Sequence, residues 1–134
     1  MLLELANIID STFYPLITAT CAIWVVRRSC TAGAGFVAVV ALTLVLKHTV
    51  GRVRPDGTTA DSFPSAHAAT ALYAAFAGPL FPVPLMVAWA TLVAWSRVRL
   101  CRHHPSDVVA GLAIGAVAAL TVKRYSKSVL GDDL

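Results

Sequence analysis

Residues 63–84, FPSAHAATALYAAFAGPLFPVP, decide the arrangement of this chain. Pro64 and Ser65 stand where a helix begins, and the Ser65 hydroxyl is suited to cap the first free backbone N–H groups. An apolar run follows with His67 at its head, and GPLFPVP then breaks any helix and turns the chain. The next apolar run, from about Val83 to Trp95, therefore returns toward the starting side. Polar stretches flank this round trip, residues 47–65 before it and 96–107 after it, so both lie on one side. All four histidines, His48, His67, His103 and His104, fall in or beside them.

Composition tells what the round trip crosses. Hydrophobic residues make up 57% of the 134 and charged residues 13%, with a mean hydropathy of +0.73. An average soluble domain has about 25% charged residues. The charges here cluster between apolar runs, as expected where an ion inside hydrocarbon is costly. Five apolar segments can be read. The first runs from about Leu3 or Ile8 to Val26 and ends at Arg27 and Arg28; the second runs from about Cys30 to Leu46 and ends at Lys47. After the polar loop 51–64, the third runs from Ser65 to the proline turn, the fourth from about Val83 to Trp95, and the fifth from Val108 to Val122. KRYSK and a short acidic end follow. This predicts an all-α, polytopic transmembrane bundle of about five segments in a single domain, 1–134. The apolar cores of the last three segments are about 14 to 16 residues, short of the roughly 20 that cross a bilayer. Either polar helix ends complete the crossing, or the polar loops sit below the membrane surface in a protein-lined cavity.

Several classes are set aside. Cys21, Cys30 and Cys101 are odd in number and lack metal-ligand spacing, so they are read as small apolar packing residues. The net charge of +4 resides at segment ends and forms no basic stripe, which argues against nucleic acid as a partner. Glu4 and Asp10 replace a basic leader, so the first segment is expected to be retained. The side opposite the two loops carries Arg27, Arg28, Lys123, Arg124 and Lys127, and the positive-inside rule makes that side, with the C-terminus, cytoplasmic. The loops then face outward. They carry six basic residues of their own, Lys47, Arg52, Arg54, Arg97, Arg99 and Arg102, and the orientation holds if these are held by a ligand.

Three short stretches carry the chemistry. In KHTVGRVRP, Lys47 precedes Arg54 by about two helical turns, so the pair fits either a clamp for a dianionic phosphate or interfacial snorkelling charges. In FPSAHAAT, Ser65 makes either an anion-binding helix start beside His67 or an ordinary cap. In SRVRLCRHHPSDVVAG, Asp107 follows His103 by one helical turn and could hold one ring nitrogen while freeing the other, as a nucleophile or base or as a structural contact.

Together, Lys47 with Arg54-Pro55, Pro64-Ser65-Ala66-His67, and Ser96-Arg97 with His103 and Asp107 resemble, in order and spacing, the three-part signature of the type 2 phosphatidic acid phosphatase (PAP2) superfamily. The resemblance implies a PAP2/haloperoxidase-like helical core and a phosphatase that needs no metal or other cofactor. It implies that His103 attacks phosphorus to give a phosphohistidine, that Asp107 orients His103, and that His67 protonates the leaving oxygen and later activates water. Lys47, Arg54, Arg97, Ser65 and the backbone N–H of Ala66 would bind the phosphoryl oxygens.

Two departures stand out. Ala66 replaces the usual glycine, which a helical start with negative φ tolerates. Membrane-bound members commonly place the first motif after a third helix, whereas here it follows the second, which opens the way to a homo-oligomer completing the substrate groove. The expected substrate is a lipid phosphate or diphosphate of polyprenyl, phosphatidate or phosphatidylglycerophosphate type. Phosphotransfer to a second lipid, and non-catalytic binding of anionic lipid, are the alternatives. His48, His104, Arg52, Arg99 and Arg102 lie off the motif positions and are read as structural.

Overall fold

The computed structural model describes residues 1–79 and 81–130, with the backbone alone for Phe13, Val25, Val26, Arg28 and Leu130. The acidic end and the Arg28 side chain therefore lie outside the described residues. Among those residues every regular element is helical. Helix α1 (Leu2–Ile8), a π-helical turn (Ile9–Phe13) and α2 (Tyr14–Arg28) follow one another without a break. Ser29, in extended conformation, accepts from the Ala32 N–H and starts α3 (Cys30–Val50). Gly51 ends that helix at φ 58°, a left-handed conformation that suits glycine, and its N–H returns to the Lys47 carbonyl. Then come α4 (Ala66–Ala77), α5 (Val83–Arg99) and α6 (Pro105–Tyr125), with a closing π-helical turn, Ser126–Leu130.

Two boundaries differ from expectation. Helix α5 continues past Trp95 to Arg99, because Arg97 is carried into the protein interior instead of marking the start of a loop. Helix α6 begins at Pro105, three residues before Val108, because proline lacks only an N–H that the first helical turn leaves unpaired anyway.

Helix lengths also refine the membrane expectation. Cys30–Val50 and Pro105–Val129 are the two helices, among the described residues, long and apolar enough to cross a membrane, with mean hydropathies of 1.9 and 1.7. Helix α4 has 12 residues and is about 18 Å long, well short of a hydrocarbon core of about 30 Å. It is instead the buried centre of the bundle, packed against α2, α3, α5 and α6.

Small residues let the helices around α4 come close. Gly111, Gly115 and Ala119 form a ridge along α6. A Cβ at Gly111 would lie 2.3 Å from the Ser65 carbonyl oxygen, and one at Gly115 would lie 2.2 Å from that of Ala69. Backbone therefore meets backbone, as in small-residue contacts between membrane helices. On the α3 side, Tyr73 is fully buried and donates to the Ala32 carbonyl at 2.6 Å, so its phenol is packed and satisfied. Val39, Ala69, Ala77 and Ala119 complete that core.

Candidate active site

The C-terminal ends of α3 and α5 and the N-terminal ends of α4 and α6 lie at one end of the bundle, and backbone hydrogen bonds join the loops between them. The Asp56 N–H donates to the Cys101 carbonyl at 3.2 Å, and the Ser65 N–H donates to the Asp107 carbonyl at 3.0 Å. The start of α4 is thus held by the first turn of α6.

His103 is 2% exposed in the turn between α5 and α6. Its Nδ1 lies 2.6 Å from the Ser62 carbonyl, which can only accept, so Nδ1 carries the proton and the neutral ring keeps a lone pair on Nε2. Burial, reinforced by the charges of Arg97 and Lys47, lowers the His103 pKa from 6.5 to about 4 against the opposing pull of the Ser62 carbonyl and Asp107. The ring is therefore neutral at pH 7.

The expected His103–Asp107 pairing is not the one the structure contains. Asp107 is fully buried, and its carboxylate accepts from Arg52 Nη1 at 2.7 Å, from the Ser62 hydroxyl, and from the His104 N–H at 2.9 Å. With Pro105 opening α6, Asp107 becomes the third helical residue, and its side chain folds back to cap the helix start. His103 precedes that helix, so the one-face spacing of a continuous helix does not apply. Asp107 reaches His103 through Ser62: the carboxylate holds the hydroxyl of the residue whose carbonyl holds the imidazole.

Three cations converge on the same end. Lys47 Nζ donates to the Asp61 carbonyl. Arg54 lies along the Asp61 carboxylate, with Nη2 donating to Oδ2 at 2.8 Å and Nε 2.8 Å from Oδ1. Burial raises the Asp61 pKa, but the Thr59 and Arg54 hydrogen bonds and the nearby cations outweigh it and hold the carboxyl below its usual range. Arg97 is buried and its Nη1 contacts Asp10 Oδ1. Among the described residues the buried Nε of Arg97 has no hydrogen-bond acceptor.

His67, in the first turn of α4, is stacked on Tyr14, with ring centroids 4.1 Å apart. Its Nε2 is 4.0 Å from Asp10 Oδ1. Ser65 caps α4 by accepting from the Ala68 N–H at 3.4 Å. Ala66 opens that helix and is not among the residues with positive φ, so its methyl imposes no backbone strain.

Sequence reasoning missed Asp10, Tyr14, Arg52, Asp61 and Ser62. An acid inside the apolar first segment was a usable signal, because such residues face a protein interior or a functional site. Nothing local distinguished Arg52 from its neighbours. His48 and Arg99 are exposed, Arg102 reaches Asp56 at 3.5 Å, and His104 Nε2 meets the Val53 carbonyl at 3.1 Å. Among the described residues no group of three His, Cys, Asp or Glu could hold a metal ion.

An all-helical bundle that gathers two histidines, a buried aspartate and three cations at one end has the make-up of the PAP2-type helical fold class. The chain belongs to the PAP2 superfamily, whose family model matches residues 28–129. It is similar to decaprenylphosphoryl-5-phosphoribose phosphatase of Mycobacterium tuberculosis, 38% identical over 106 residues covering 72% of this chain and 60% of that protein. It is also similar to lipid A 1-phosphatase of Rhizobium johnstonii, 42% identical over 95 residues covering 56% of this chain and 38% of that protein. The chain thus corresponds to about half the length of these curated relatives. No solved structure matches it.

Proposed function

We propose that this chain is a single-domain, integral-membrane lipid phosphatase that removes phosphate from a lipid phosphomonoester or diphosphate through a phosphohistidine on His103. The observation that carries the reading is the His103 ring: it is buried and neutral, and the Ser62 carbonyl takes Nδ1–H, which leaves Nε2 free as the nucleophile. Nε2 forms the N–P bond while the ester P–O bond breaks, and His67 supplies the proton to the departing oxygen. Water then attacks phosphorus and gives its proton to His67, the P–N bond breaks, and inorganic phosphate leaves. Lys47, Arg54 and Arg97, with the Ser65 hydroxyl and the Ala66 N–H at the start of α4, stabilise the charge on the phosphoryl oxygens. The buried Nε of Arg97, which has no acceptor among the described residues, supports that role. Asp107 orients His103 through Ser62.

A lipid-linked substrate is supported by the names of the relatives, phosphatases of a decaprenylphosphoryl phosphoribose and of lipid A. Membrane integration is supported by the two long apolar helices and by exposed side chains such as Leu44, Val45, Val117 and Leu120 on them. In the proposed topology the helical run 2–28 and α3 to α6 make about five segments, the loops open outward, and the C-terminus is cytoplasmic. Helix α4 is too short to reach both surfaces, so the site lies below the outer surface, where a lipid headgroup arrives laterally.

The test is phosphate release from detergent-solubilised polyprenyl, phosphatidate and phosphatidylglycerophosphate-type substrates in EDTA, comparing the unaltered chain with His103→Ala. Release that survives EDTA and falls by at least about a thousandfold in the variant is expected. Equal release by both proteins would remove His103 from the mechanism. Phosphorylated lipid acceptor in place of free phosphate would assign phosphotransfer, and binding without turnover of any substrate would assign a lipid-binding protein.

A further inference from the structure

The helical run before residue 28 lies outside the family match, yet it sends two side chains into the site. Asp10 sits in the π-helical turn between α1 and α2, a local widening that often marks a functional position. Its carboxylate is three-quarters buried, in contact with the Arg97 guanidinium and 4.0 Å from His67 Nε2. One helical turn later, Tyr14 stacks on the His67 ring and its hydroxyl lies 3.0 Å from the Thr70 hydroxyl, which fixes the plane of the ring against α4. An acid in an apolar segment is costly unless it has a partner, and this one has two.

The surroundings of His67 define what that acid contributes. Lys47 approaches from α3, Arg54 from the loop before α4, Arg97 from α5 and His103 from the turn before α6; Tyr14 and Asp10 come from the N-terminal run. Among the described residues Asp10 is the one carboxylate within 4.0 Å of the His67 ring nitrogens. A histidine that must hold a proton among cations needs a counter-charge close by.

We infer that Asp10 is a positioning residue for the leaving-group acid: its carboxylate stabilises the protonated form of His67 while neutralising the buried guanidinium of Arg97, so that this N-terminal helix tunes the enzyme toward poor, alkoxide-type leaving groups. The inference rests on the phosphatase reading above. The proton that His67 gives to the ester oxygen returns to it from water in the second step, and Asp10 takes no part in the transfer.

The experiment compares hydrolysis of dodecyl phosphate, whose alkoxide needs a proton to leave, with that of para-nitrophenyl phosphate, whose phenolate does not. The proteins are the unaltered chain, Asp10→Asn, Asp10→Glu and His67→Ala, and the pH dependence of kcat is recorded for each. The ratio of the two rates is independent of the fraction of protein that is folded. For Asp10→Asn the ratio is expected to fall by at least about tenfold in favour of the aryl ester, with the alkaline limb of kcat moved down by about one pH unit. Asp10→Glu is expected to restore most of both, and His67→Ala to lower the ratio further.

If His67→Ala lowers the ratio and Asp10→Asn leaves it unchanged, the inference is overturned and Asp10 serves Arg97 alone. A rise in KM with both kcat values and the pH profile intact would overturn it in the same way. If His67→Ala also leaves the ratio unchanged, or neither ester is turned over, the phosphatase reading itself fails, and the inference with it.

Discussion

At the scale of single residues, the site depends on which acceptor each polar atom finds. His103 owes its tautomer to a carbonyl and its neutrality first to burial. Its folded pKa lies below the unfolded value, so between about pH 6.5 and pH 4 the unfolded chain binds more protons than the native one. Stability contributed by this group is present above pH 6.5 and is lost as pH falls toward 4. An NMR titration of histidine-labelled protein, with His103→Ala supplying the assignment, is expected to place its midpoint near 4; a midpoint near 6.5 would contradict the burial argument. Arg52 makes a second prediction. It holds the buried Asp107 carboxylate and also bonds the Ser106 hydroxyl at 2.8 Å. Removing it leaves a charged acceptor short of a donor, which costs about 1–3 kcal/mol. Arg52→Ala should therefore lower the thermal midpoint of the protein in detergent, with partial recovery in Arg52→Lys. The motif positions were legible in the sequence because their spacing is local. Arg52, Asp61 and Asp10 were not, because their meaning comes from partners brought together by folding; Arg97 is 87 residues from Asp10.

At the scale of elements, the close approach of α6 to α4 connects packing with chemistry. Gly111→Ala would drive a methyl into the Ser65 carbonyl and displace the helix start that cradles phosphate. Gly115→Ala would press on Ala69, a turn further from the site. Both should cost about 1–3 kcal/mol, read as a lower thermal midpoint in detergent. Only Gly111→Ala should also lower kcat in the folded fraction, and equal kcat effects would mean that α6 does not position Ser65. Helix order and the proline turn were readable from apolar runs and helix breakers. The first turn of α6 was not, because Pro105 moved the helix start forward and turned Asp107 from a partner of His103 into a helix cap.

At the scale of the whole molecule, the acid-bearing N-terminal run and both site loops gather at one end, while Arg27, Lys123, Arg124 and Lys127 lie toward the other ends of their helices. Single cysteines at Thr58 and Lys127, in a chain whose own three cysteines are replaced, should be labelled from opposite faces of the membrane, Thr58 from outside. Labelling of Thr58 from the cytoplasmic side alone would invert the proposed topology. Composition made the apolar bundle legible, but not the burial of the short α4, because an alanine-rich run reads the same in lipid as at the centre of other helices. The covalent intermediate is trapped by quenching the protein in denaturant during turnover of a phosphorus-labelled lipid phosphate and mapping the labelled residue. An acid-labile, alkali-stable phosphoramidate is expected on His103 and is expected to be absent from His103→Ala. Label on another residue, or full turnover by the His103→Ala protein, would contradict that expectation.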